Sequence, residues 1–224
     1  MANSPHIPPT PDERAYAADA DAEASDHLPG DGADPIQLFE AWLADAGRAE
    51  VNDPNAMVLA TVDASGAPNA RCLLLKDVDS RGFTFFTNAG SVKGDELAAA
   101  PVGALCFHWK SLRRQVRVRG PVGELERPDV DAYFATRARA SRIGAWASQQ
   151  SRPLESREAL RAEVERFEQE FDGQDVPCPP TWTGYRLAPL EIEFWRDRPY
   201  RLHDRLRYDR ADLSDAWRFT RLFP

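Results

Sequence analysis

Short extended runs bounded by turn residues do most to limit the folds open to this sequence. The first group covers residues 56–63, 69–76 and 82–87, and a hairpin follows at 102–109 and 113–125. A last group covers 184–188, 191–195, 201–208 and 217–222. Helical patterns lie between these groups rather than between single strands. This order predicts an α+β fold in which about seven or eight strands form a closed or nearly closed antiparallel barrel with peripheral helices.

Two of these strands are apolar almost throughout. Residues 57–62 and 72–75 have few polar positions, which for a strand indicates burial on both faces. We therefore expect them to lie in a barrel wall that helices or a partner subunit cover. The second strand of the hairpin is one-sided, because its valines fall on one face and Gln115, Arg117 and Arg119 fall on the other.

Helix signals occupy the intervals between the strand groups. An N-cap aspartate followed by proline predicts a helix over residues 35–50. Ser91 is suited to cap a short helix through residue 100, with Lys93 in the first turn, and such a helix start can hold an anion. Ser156 predicts another cap, for a helix that ends near residue 171.

A further helix, beginning at Pro128, carries a group of polar side chains. Tyr133 and Arg137 are four residues apart and share one face of a continuous helix, with Ser141 one turn beyond. These three side chains would surround one small anion. The alternative is an amphipathic helix with an ordinary solvated face, and the spacing alone favours that alternative.

Charge is distributed unevenly along the chain. The net charge is −8, but residues 1–50 hold eleven acidic side chains against Arg14 and Arg48, so the rest of the chain is close to neutral. Residues 1–34 have almost no large apolar side chains, which predicts a disordered acidic tail before a domain at 35–224. Because the sequence has neither a bilayer-spanning apolar run nor a secretory signal pattern, we expect a cytoplasmic protein.

Residues 110–152 are locally basic, with ten arginine or lysine residues against four acidic ones. This block lacks interleaved aromatic residues and a recognition helix, so small phosphorylated ligands fit it better than nucleic acid. The three cysteines are widely spaced, which favours reduced thiols over disulfides. Beyond the tail only His108 and His203 remain, too few for a metal cluster, so no metal site is expected.

Residues 192–205 predict two strands joined by a Pro-containing turn. In a continued strand Arg201, His203 and Arg205 project from one face, while Leu202 points the other way. Three potential cations on one surface need anions opposite them, either acidic side chains or a bound phosphate.

The sequence contains no Gly-rich phosphate loop, dinucleotide fingerprint or nucleophile elbow. What remains is a set of cationic and amide side chains at strand ends and helix starts. Such a set suits a reaction whose difficult step is performed by a bound cofactor that the protein positions.

Several sequence blocks share one pattern: RCLLLK at 71–76, FFTN at 85–88, RQV at 114–116, SRIGAW at 141–146, SQQS at 148–151, and IEFW at 192–195 followed by RLHDR at 201–205. Together these blocks resemble the pyridoxamine 5′-phosphate oxidase family. The last pair, at its spacing, is the most specific. Order and spacing agree from about residue 35 to residue 224.

The resemblance implies a split β-barrel that binds FMN and acts as a homodimer, with the flavin at the subunit interface. On the matching positions it assigns FMN contacts to Arg71, Leu74, Leu75, Lys76, Phe86, Thr87, Lys93, Gln115, Gln150, Ser151, Trp195 and Arg205. It assigns the substrate phosphate to Lys76, Tyr133, Arg137 and Ser141. Arg201 and His203 would lie against the substrate's pyridine ring as the catalytic pair.

The implied reaction is oxidation of pyridoxamine or pyridoxine 5′-phosphate to pyridoxal 5′-phosphate. A hydride would pass from the C4′ carbon to flavin N5, and O2 would reoxidise the flavin to give H2O2. The amine substrate would also release ammonia. The implied partners are therefore a small phosphorylated pyridine and O2, with no nucleic acid and no membrane.

Three features depart from the family's usual pattern. Val92 stands where the family usually has arginine between Ser91 and Lys93, so we expect weaker FMN retention. Arg196 replaces a usual Gln, His or Gly at a strand end. The segment before Asp34 lacks the basic, Tyr-containing pattern that closes over substrate in some members, which puts an N-terminal lid in doubt.

Two other functions stay open at this point. A split-barrel oxidase acting on another reduced ring, such as a phenazine precursor, would not need the four residues assigned to the substrate phosphate. A non-catalytic flavin or pyridoxal-phosphate carrier would keep Gln115 and Arg205 but have no need of Arg201 and His203. This chain carries all of these residues.

Overall fold

A computed structural model describes residues 32–224, so nearly all of the tail predicted at 1–34 lies outside the described residues. The helices are α1 (Pro35–Ala49), α2 (Val92–Ala99), α3 (Arg127–Ala135), α4 (Arg139–Ala147) and α5 (Arg157–Glu170). The strands are β1 (Ala56–Val62), β2 (Pro68–Leu74), β3 (Asp77–Asp79), β4 (Gly82–Asn88), β5 (Val102–Trp109), β6 (Arg114–Glu124), β7 (Trp182–Leu187), β8 (Glu191–Arg196), β9 (Asp204–Asp209) and β10 (Arg218–Arg221).

The strands form one branched antiparallel sheet. Its main path runs β10-β9-β8-β6-β5-β1-β2, while β4 pairs with β3 and β7, and β7 returns to β6. The long strand β6 makes the branch, because residues 114–119 pair with β8 and residues 122–124 pair with β7. Gly120 lies between the two stretches, where an added Cβ would meet the Ala188 carbonyl oxygen at 1.9 Å. Only glycine permits that approach. The branched antiparallel sheet as a whole confirms the predicted split barrel.

The main core lies between helix α1 and the inner face of the curled sheet. Asp34 caps α1 by accepting a hydrogen bond from the Ile36 amide, as its sequence predicts. Phe39 is fully buried and packs edge-on against Phe83 and Phe107, with both centroids at 4.8 Å. Such edge-to-face pairs add to the stabilisation from burial alone.

A second, smaller core forms where α4 packs on α5. It is built from Ile143, Ala147, Phe167 and Val176. Arg139 fastens the loop that follows α5 by donating to the carbonyls of Phe171 and Gln174. In the described part of the chain, no helix combines the length and apolar character needed to cross a membrane.

The helix expected to run from Pro128 past Ser141 is in fact two helices. Helix α3 ends at Ala135, residues 136–138 link the two, and α4 begins at Arg139. Arg137 therefore lies in the link rather than one turn along the same helix. The prediction that one continuous helix carries Tyr133, Arg137 and Ser141 was wrong, because the chain leaves the helix between them.

The C-terminal run also differs from its prediction. Strand β9 begins only at Asp204, and the residues before it form a tight turn, Pro199–Arg201. The alternation predicted for Arg201, His203 and Arg205 therefore does not apply. Leu202 is 67% exposed rather than directed inward.

Strand β2 is not buried on both faces in the single chain. It lies at the edge of the sheet, and Leu74 is 37% exposed. The structure has ten strands in its described part rather than the seven or eight predicted, and the short β3, which pairs with β4, matches none of the predicted runs. A three-residue strand has too little alternation to be recognised from sequence.

Candidate functional site

A polar cleft of about 470 Å³ opens between strand β2 and the start of helix α2. Its lining combines the β2 edge, the first turn of α2 and the segment after α4, and consists of Asn69, Ala70, Arg71, Cys72, Leu73, Val92, Lys93, Gln150 and Ser151. Four of these, Arg71, Lys93, Gln150 and Ser151, are residues that the sequence assigned to FMN. We call this region the β2–α2 cleft.

Lys93 is the buried cation of the β2–α2 cleft. Its Nζ donates to Ser91 Oγ at 3.0 Å and to Gln150 Oε1 at 2.7 Å. The Thr87 hydroxyl donates to the same Gln150 oxygen at 3.2 Å. Burial lowers the pKa of Lys93, and nearby Arg71 lowers it further, while Glu96 opposes both effects. All of its nearest partners are neutral, so an anion in the cleft would stabilise the ammonium form.

Arg71 is held in place by the buried carboxylate of Glu96. Its Nη2 donates to Glu96 Oε2 at 2.7 Å, and its Nη1 donates to the Thr61 hydroxyl and to the Leu59 carbonyl. Glu96 is only 6% exposed and also accepts hydrogen bonds from Thr61 and Asn69. Burial raises the pKa of Glu96, but these hydrogen bonds outweigh burial and hold it below its ordinary value. The guanidinium is therefore fixed in place by its own chain.

The helix start in the β2–α2 cleft is shaped as its sequence predicts. Ser91 caps α2 and accepts from the Gly94 amide at 3.4 Å. An added Cβ at Gly94 would meet the Ala89 carbonyl oxygen at 2.0 Å, so a side chain there would push the helix away from the preceding turn. Val92, which replaces the family's usual arginine, lines the cleft and is 41% exposed.

A second group of predicted residues lies in one row across three strands. Gln115 on β6 is opposite Trp195 on β8, and Trp195 is opposite Arg205 on β9. Residues opposite each other in antiparallel strands share a face, so these three side chains form one patch, which we call the sheet row. It is on the outer face, since the alternating neighbours Val116, Phe194 and Leu206 are buried in the core.

Arg205 has an internal anion beside it. Its Nε and Nη2 donate to the two oxygens of Glu193 at 2.9 and 3.1 Å, and Arg117 binds the same carboxylate. Burial raises the pKa of Glu193, yet the hydrogen bonds from Arg205 and Arg117 hold it below its ordinary value. For this cation, the anion that the sequence required is an acidic side chain.

The β2–α2 cleft and the sheet row do not meet within one chain. Arg71 is opposite the buried Leu59 and so belongs to the inner face, whereas Trp195 belongs to the outer face. Strands β2 and β8 are four strand spacings apart, which is roughly 19 Å. Along the sheet, the two groups of one chain are thus separated both by face and by this path.

A third group lies where helix α3 crosses strands β4 and β7. The rings of Phe86 and Tyr133 stack with centroids 3.8 Å apart, and the Arg137 guanidinium lies 4.1 Å from the centroid of Trp182. We call these four residues the α3 cluster. Burial lowers the pKa of Arg137, while Tyr133 and Cys178 oppose that effect. Among residues 32–224 the buried Nη1 of Arg137 has no hydrogen-bond acceptor.

Other predicted residues lie near these groups without joining them. Lys76 follows β2, and its amide donates to the Thr84 carbonyl on β4, while its side chain is exposed. Ser141 is exposed on α4. Leu75 is a core residue, 4% exposed, and Leu74 points to the open face of β2. The structure thus brings Tyr133 and Arg137 to one place and leaves Lys76 and Ser141 at its margin.

The predicted catalytic pair lies on the turn before β9. His203 packs against Trp195 with centroids at 4.7 Å, and its Nδ1 is 3.1 Å from the Arg198 amide and 3.0 Å from Asp197 Oδ1. Arg201 is exposed and has a φ of 61°, next to Tyr200 at 56°. Left-handed backbone at two consecutive non-glycine residues costs about 1–2 kcal/mol each, so the rest of the turn must impose it.

A larger cleft, of about 770 Å³, contains none of the predicted site residues. It lies on the outer face of the sheet, between Ala60, Ala104 and Leu190, and its wall is largely apolar. Within residues 32–224, no cluster of three or more His, Cys, Asp or Glu side chains is arranged to hold a metal ion.

Sequence reasoning missed three residues that shape these sites. Glu96 had a weak signal, as a carboxylate on a short apolar helix one turn after Lys93. Glu193 alternates with the apolar Ile192 and Phe194, a pattern typical of an exposed position, but it is only 3% exposed. Trp182 had no signal, because it is 45 residues from Arg137 in the chain.

Two models of known protein families match most of the described chain. Residues 43–171 match the family model described as "Pyridoxamine 5′-phosphate oxidase". Residues 182–224 match the model described as "Pyridoxine 5′-phosphate oxidase C-terminal dimerisation region". Together these two matches cover the elements that carry the β2–α2 cleft, the sheet row and the α3 cluster.

Individual relatives also match over most or all of this chain. A pyridoxine/pyridoxamine 5′-phosphate oxidase from Maricaulis maris is 58% identical over 224 residues, covering 100% of both chains. One from Azorhizobium caulinodans is 59% identical over 191 residues, 85% of this chain and 90% of the relative. The crystal structure of PhzG from Burkholderia lata, in complex with tetrahydrophenazine-1-carboxylic acid, is 34% identical with a TM-score of 0.83, covering 89% of this chain and 98% of that one.

Proposed function

The chain belongs to the pyridoxamine 5′-phosphate oxidase family, and on that premise we propose that it oxidises pyridoxine and pyridoxamine 5′-phosphates to pyridoxal 5′-phosphate. FMN is the family's cofactor. The observation that supports the proposal most directly is the α3 cluster, where Arg137 presents a buried, unpaired donor beside the Phe86–Tyr133 stack. A substrate phosphate at that position would supply the acceptor that the buried Nη1 lacks.

The donor set of the β2–α2 cleft fits the phosphate of FMN. Lys93 and Arg71 supply positive charge, Ser151 and Gln150 supply polar groups, and the α2 N-terminus adds its dipole. Lys93 is bound only to neutral oxygens, so its charge remains available to an anion. When bound, FMN would accept a hydride from substrate C4′ at N5 and pass the electrons to O2, giving H2O2.

The sheet row would contact the flavin ring from a second copy of the chain. Arg71 and the sheet row are on opposite faces of the sheet, and strands β2 and β8 are four strands apart in its order, so a complete site would take the cleft from one subunit and the row from the other. The exposed edge strand β2 and the largely apolar 770 Å³ cleft on the outer face offer the surface for such a homodimer. The match of residues 182–224 to a dimerisation region supports the same assembly.

The substrate would lie between the α3 cluster and the turn before β9. Arg137, Tyr133, Lys76 and Ser141 would bind its phosphate, and the last two would complete the site from its margin. Arg201 and His203 would orient the pyridine ring. Because His203 is held at its Nδ1 edge, its Nε2 is the nitrogen directed to a ligand.

Neither Arg201 nor His203 is proposed as an obligatory base, since the substrate's own amine or alkoxide can assist the departure of the hydride. Ammonia would be released by hydrolysis when the amine is the substrate. A loss of more than about a thousandfold in kcat for His203→Ala, independent of pH and with binding intact, would contradict this role.

The decisive experiment records the visible spectrum of the purified protein and then follows aldehyde and peroxide after addition of pyridoxine 5′-phosphate. We expect a flavin spectrum, stoichiometric aldehyde and peroxide, and a dimer by light scattering. A protein that cannot be loaded with FMN would refute the proposal. Flavin binding without turnover would instead indicate a carrier.

A second candidate is oxidation of a reduced phenazine-type ring. It is favoured by the likeness to the Burkholderia lata structure, whose bound molecule is tetrahydrophenazine-1-carboxylic acid. The same assay with that compound separates the two functions. We expect kcat/KM to favour pyridoxine 5′-phosphate by more than about a hundredfold, because its phosphate offers the part-buried Arg137 more negative charge and more acceptor oxygens than the single carboxylate of the phenazine-type compound.

A further inference from the structure

Trp182 has a place in the fold that no sequence motif assigns. It begins β7, opposite Asn88 on β4, and two residues along the same face Gly184 is opposite Phe86. An added Cβ at Gly184 would come within 2.8 Å of the Phe86 ring, so the glycine leaves room for the stack of Phe86 on Tyr133. The Trp182 indole therefore lies on the same face of the β4–β7 pair as that stack.

The indole supports the cation of the α3 cluster. The Arg137 guanidinium lies 4.1 Å from the Trp182 centroid, closer than its 5.6 Å to Phe134, and Phe134 packs edge-on against Trp182 at 5.8 Å. In the described part of the chain Arg137 has no hydrogen-bonded carboxylate, so aromatic faces are its principal contacts. A cation over an indole face is attracted by the ring quadrupole, most strongly when water is excluded.

The main chain at Trp182 is itself fixed. Its amide donates to the Pro179 carbonyl at 3.0 Å, and Arg127 donates to the carbonyls of Pro179 and Cys178 at 3.2 and 2.9 Å. The backbone that carries the ring is thus anchored to the sheet on one side and to the loop before β7 on the other. Arg137, by contrast, lies in the short link between α3 and α4, outside both helices.

We propose that Trp182 is a positioning residue for the substrate phosphate: its ring face holds the Arg137 guanidinium so that the unpaired Nη1 is directed to the phosphate oxygens. This rests on the proposed function and adds to it the residue that orients the phosphate-binding cation. An aromatic face does so without neutralising the charge, whereas a carboxylate partner would compete with the phosphate for the same donors.

Four FMN-loaded variants test this role: Trp182→Leu, Trp182→Phe, Arg137→Met and the double variant Trp182→Leu/Arg137→Met. We expect W182L to raise the KM for pyridoxine 5′-phosphate about tenfold and W182F about threefold, since phenylalanine offers a weaker face. The kcat of both should stay within about twofold of wild type, because the chemistry takes place at the other end of the substrate. In the R137M background W182L should add no further increase, because Trp182 acts through Arg137.

Readouts other than turnover separate positioning from general packing damage. The FMN affinity of the flavin-free variants, measured by quenching of flavin fluorescence, should equal that of wild type, because the β2–α2 cleft does not include Trp182. Calorimetric affinity for pyridoxal 5′-phosphate should fall in parallel with the rise in KM. If W182L does not fold, W182F carries the same cycle with its smaller effect.

The proposal is overturned if W182L and W182F leave the KM unchanged, or if they raise it equally with and without Arg137. It is also overturned if FMN affinity falls as much as substrate affinity, which would make Trp182 a packing residue only. Failure of the proposed function is distinct, because wild-type protein would then not oxidise pyridoxine 5′-phosphate at all.

Discussion

In the β2–α2 cleft the cations are bound by groups of their own chain, whereas in the α3 cluster the cation lacks such partners. Arg71 donates to Glu96, Thr61 and a backbone carbonyl. The Arg137 Nη1, also buried, has no acceptor within residues 32–224 and rests on an aromatic face. The first arrangement is organised before any ligand binds, while the second depends on its ligand for neutralisation.

Because of this difference, we expect the two regions to respond differently to mutation. Removing an internal partner from the β2–α2 cleft leaves a buried charge without its counterion, which weakens the fold and the site together. Removing the cation from the α3 cluster deletes a part-buried charge whose Nη1 has no acceptor within residues 32–224, so the fold loses little and only ligand binding suffers. Cofactor retention and substrate turnover are therefore expected to separate under mutation.

The largest effect is expected for Glu96→Ala. Loss of this carboxylate leaves Arg71 part-buried without its anion, which should lower the free energy of unfolding of the flavin-free protein by about 3 kcal/mol. Urea denaturation measures the change. Asp95→Ala is the matched control. The Asp95 carboxylate, one residue before Glu96, is 60% exposed, so its loss should cost less than about 0.5 kcal/mol. If both variants destabilised the protein equally, the contrast drawn between the β2–α2 cleft and the α3 cluster would be contradicted.

Arg137→Met should have the opposite signature. We expect the KM for pyridoxine 5′-phosphate to rise about thirtyfold, corresponding to about 2 kcal/mol for a lost charged hydrogen bond. The free energy of unfolding should stay the same or increase, because burial already lowers the pKa of this guanidinium. Arg161→Met, an exposed arginine on α5, is the control and should change neither quantity. A clear loss of stability in R137M would show that the cation has a structural role.

Much of this comparison was accessible from sequence. The N-caps at Asp34, Ser91 and Ser156 begin their helices as predicted, because capping is decided by residues within one turn. The family blocks also identified which residues to examine. The break between α3 and α4 at 136–138, however, was not predicted, because no proline or glycine marks it in the sequence.

The rest depends on tertiary placement that local patterns do not encode. Glu193 follows the strand's alternation, yet two arginines from neighbouring strands enclose it. Trp182 meets Arg137 only because β7 returns beside β4 under α3. Likewise, the division of the predicted flavin residues between two faces follows from strand order, which joins β6 to β8 across the sheet. Contacts of this kind join residues far apart in sequence, and hydrophobic periodicity carries no information on such pairs.

The pH dependence of flavin binding sharpens the comparison further. Burial lowers the pKa of Lys93 in the flavin-free protein, and a bound phosphate would raise it again. Binding is then coupled to proton uptake, so FMN affinity should be highest below the lowered pKa and fall by up to about tenfold per pH unit above it. Fluorescence titration from pH 7 to pH 10 measures this. Lys93→Arg keeps its charge throughout and should lose that dependence, apart from any ionisation of the flavin itself.

The smallest effect is expected for Val92→Arg, which restores the cation usual in the family. Val92 is at the exposed rim of the β2–α2 cleft, so an arginine there meets the phosphate while partly solvated. We expect FMN to bind about fivefold more tightly, close to 1 kcal/mol, with the gain shrinking as salt is raised. Val51→Arg adds the same charge at a site that is 95% exposed and does not line the cleft, so it should leave affinity unchanged. If V92R gains nothing over V51R, the pre-organised pair of Arg71 and Lys93 already satisfies the phosphate, and the contrast with the α3 cluster becomes stronger still.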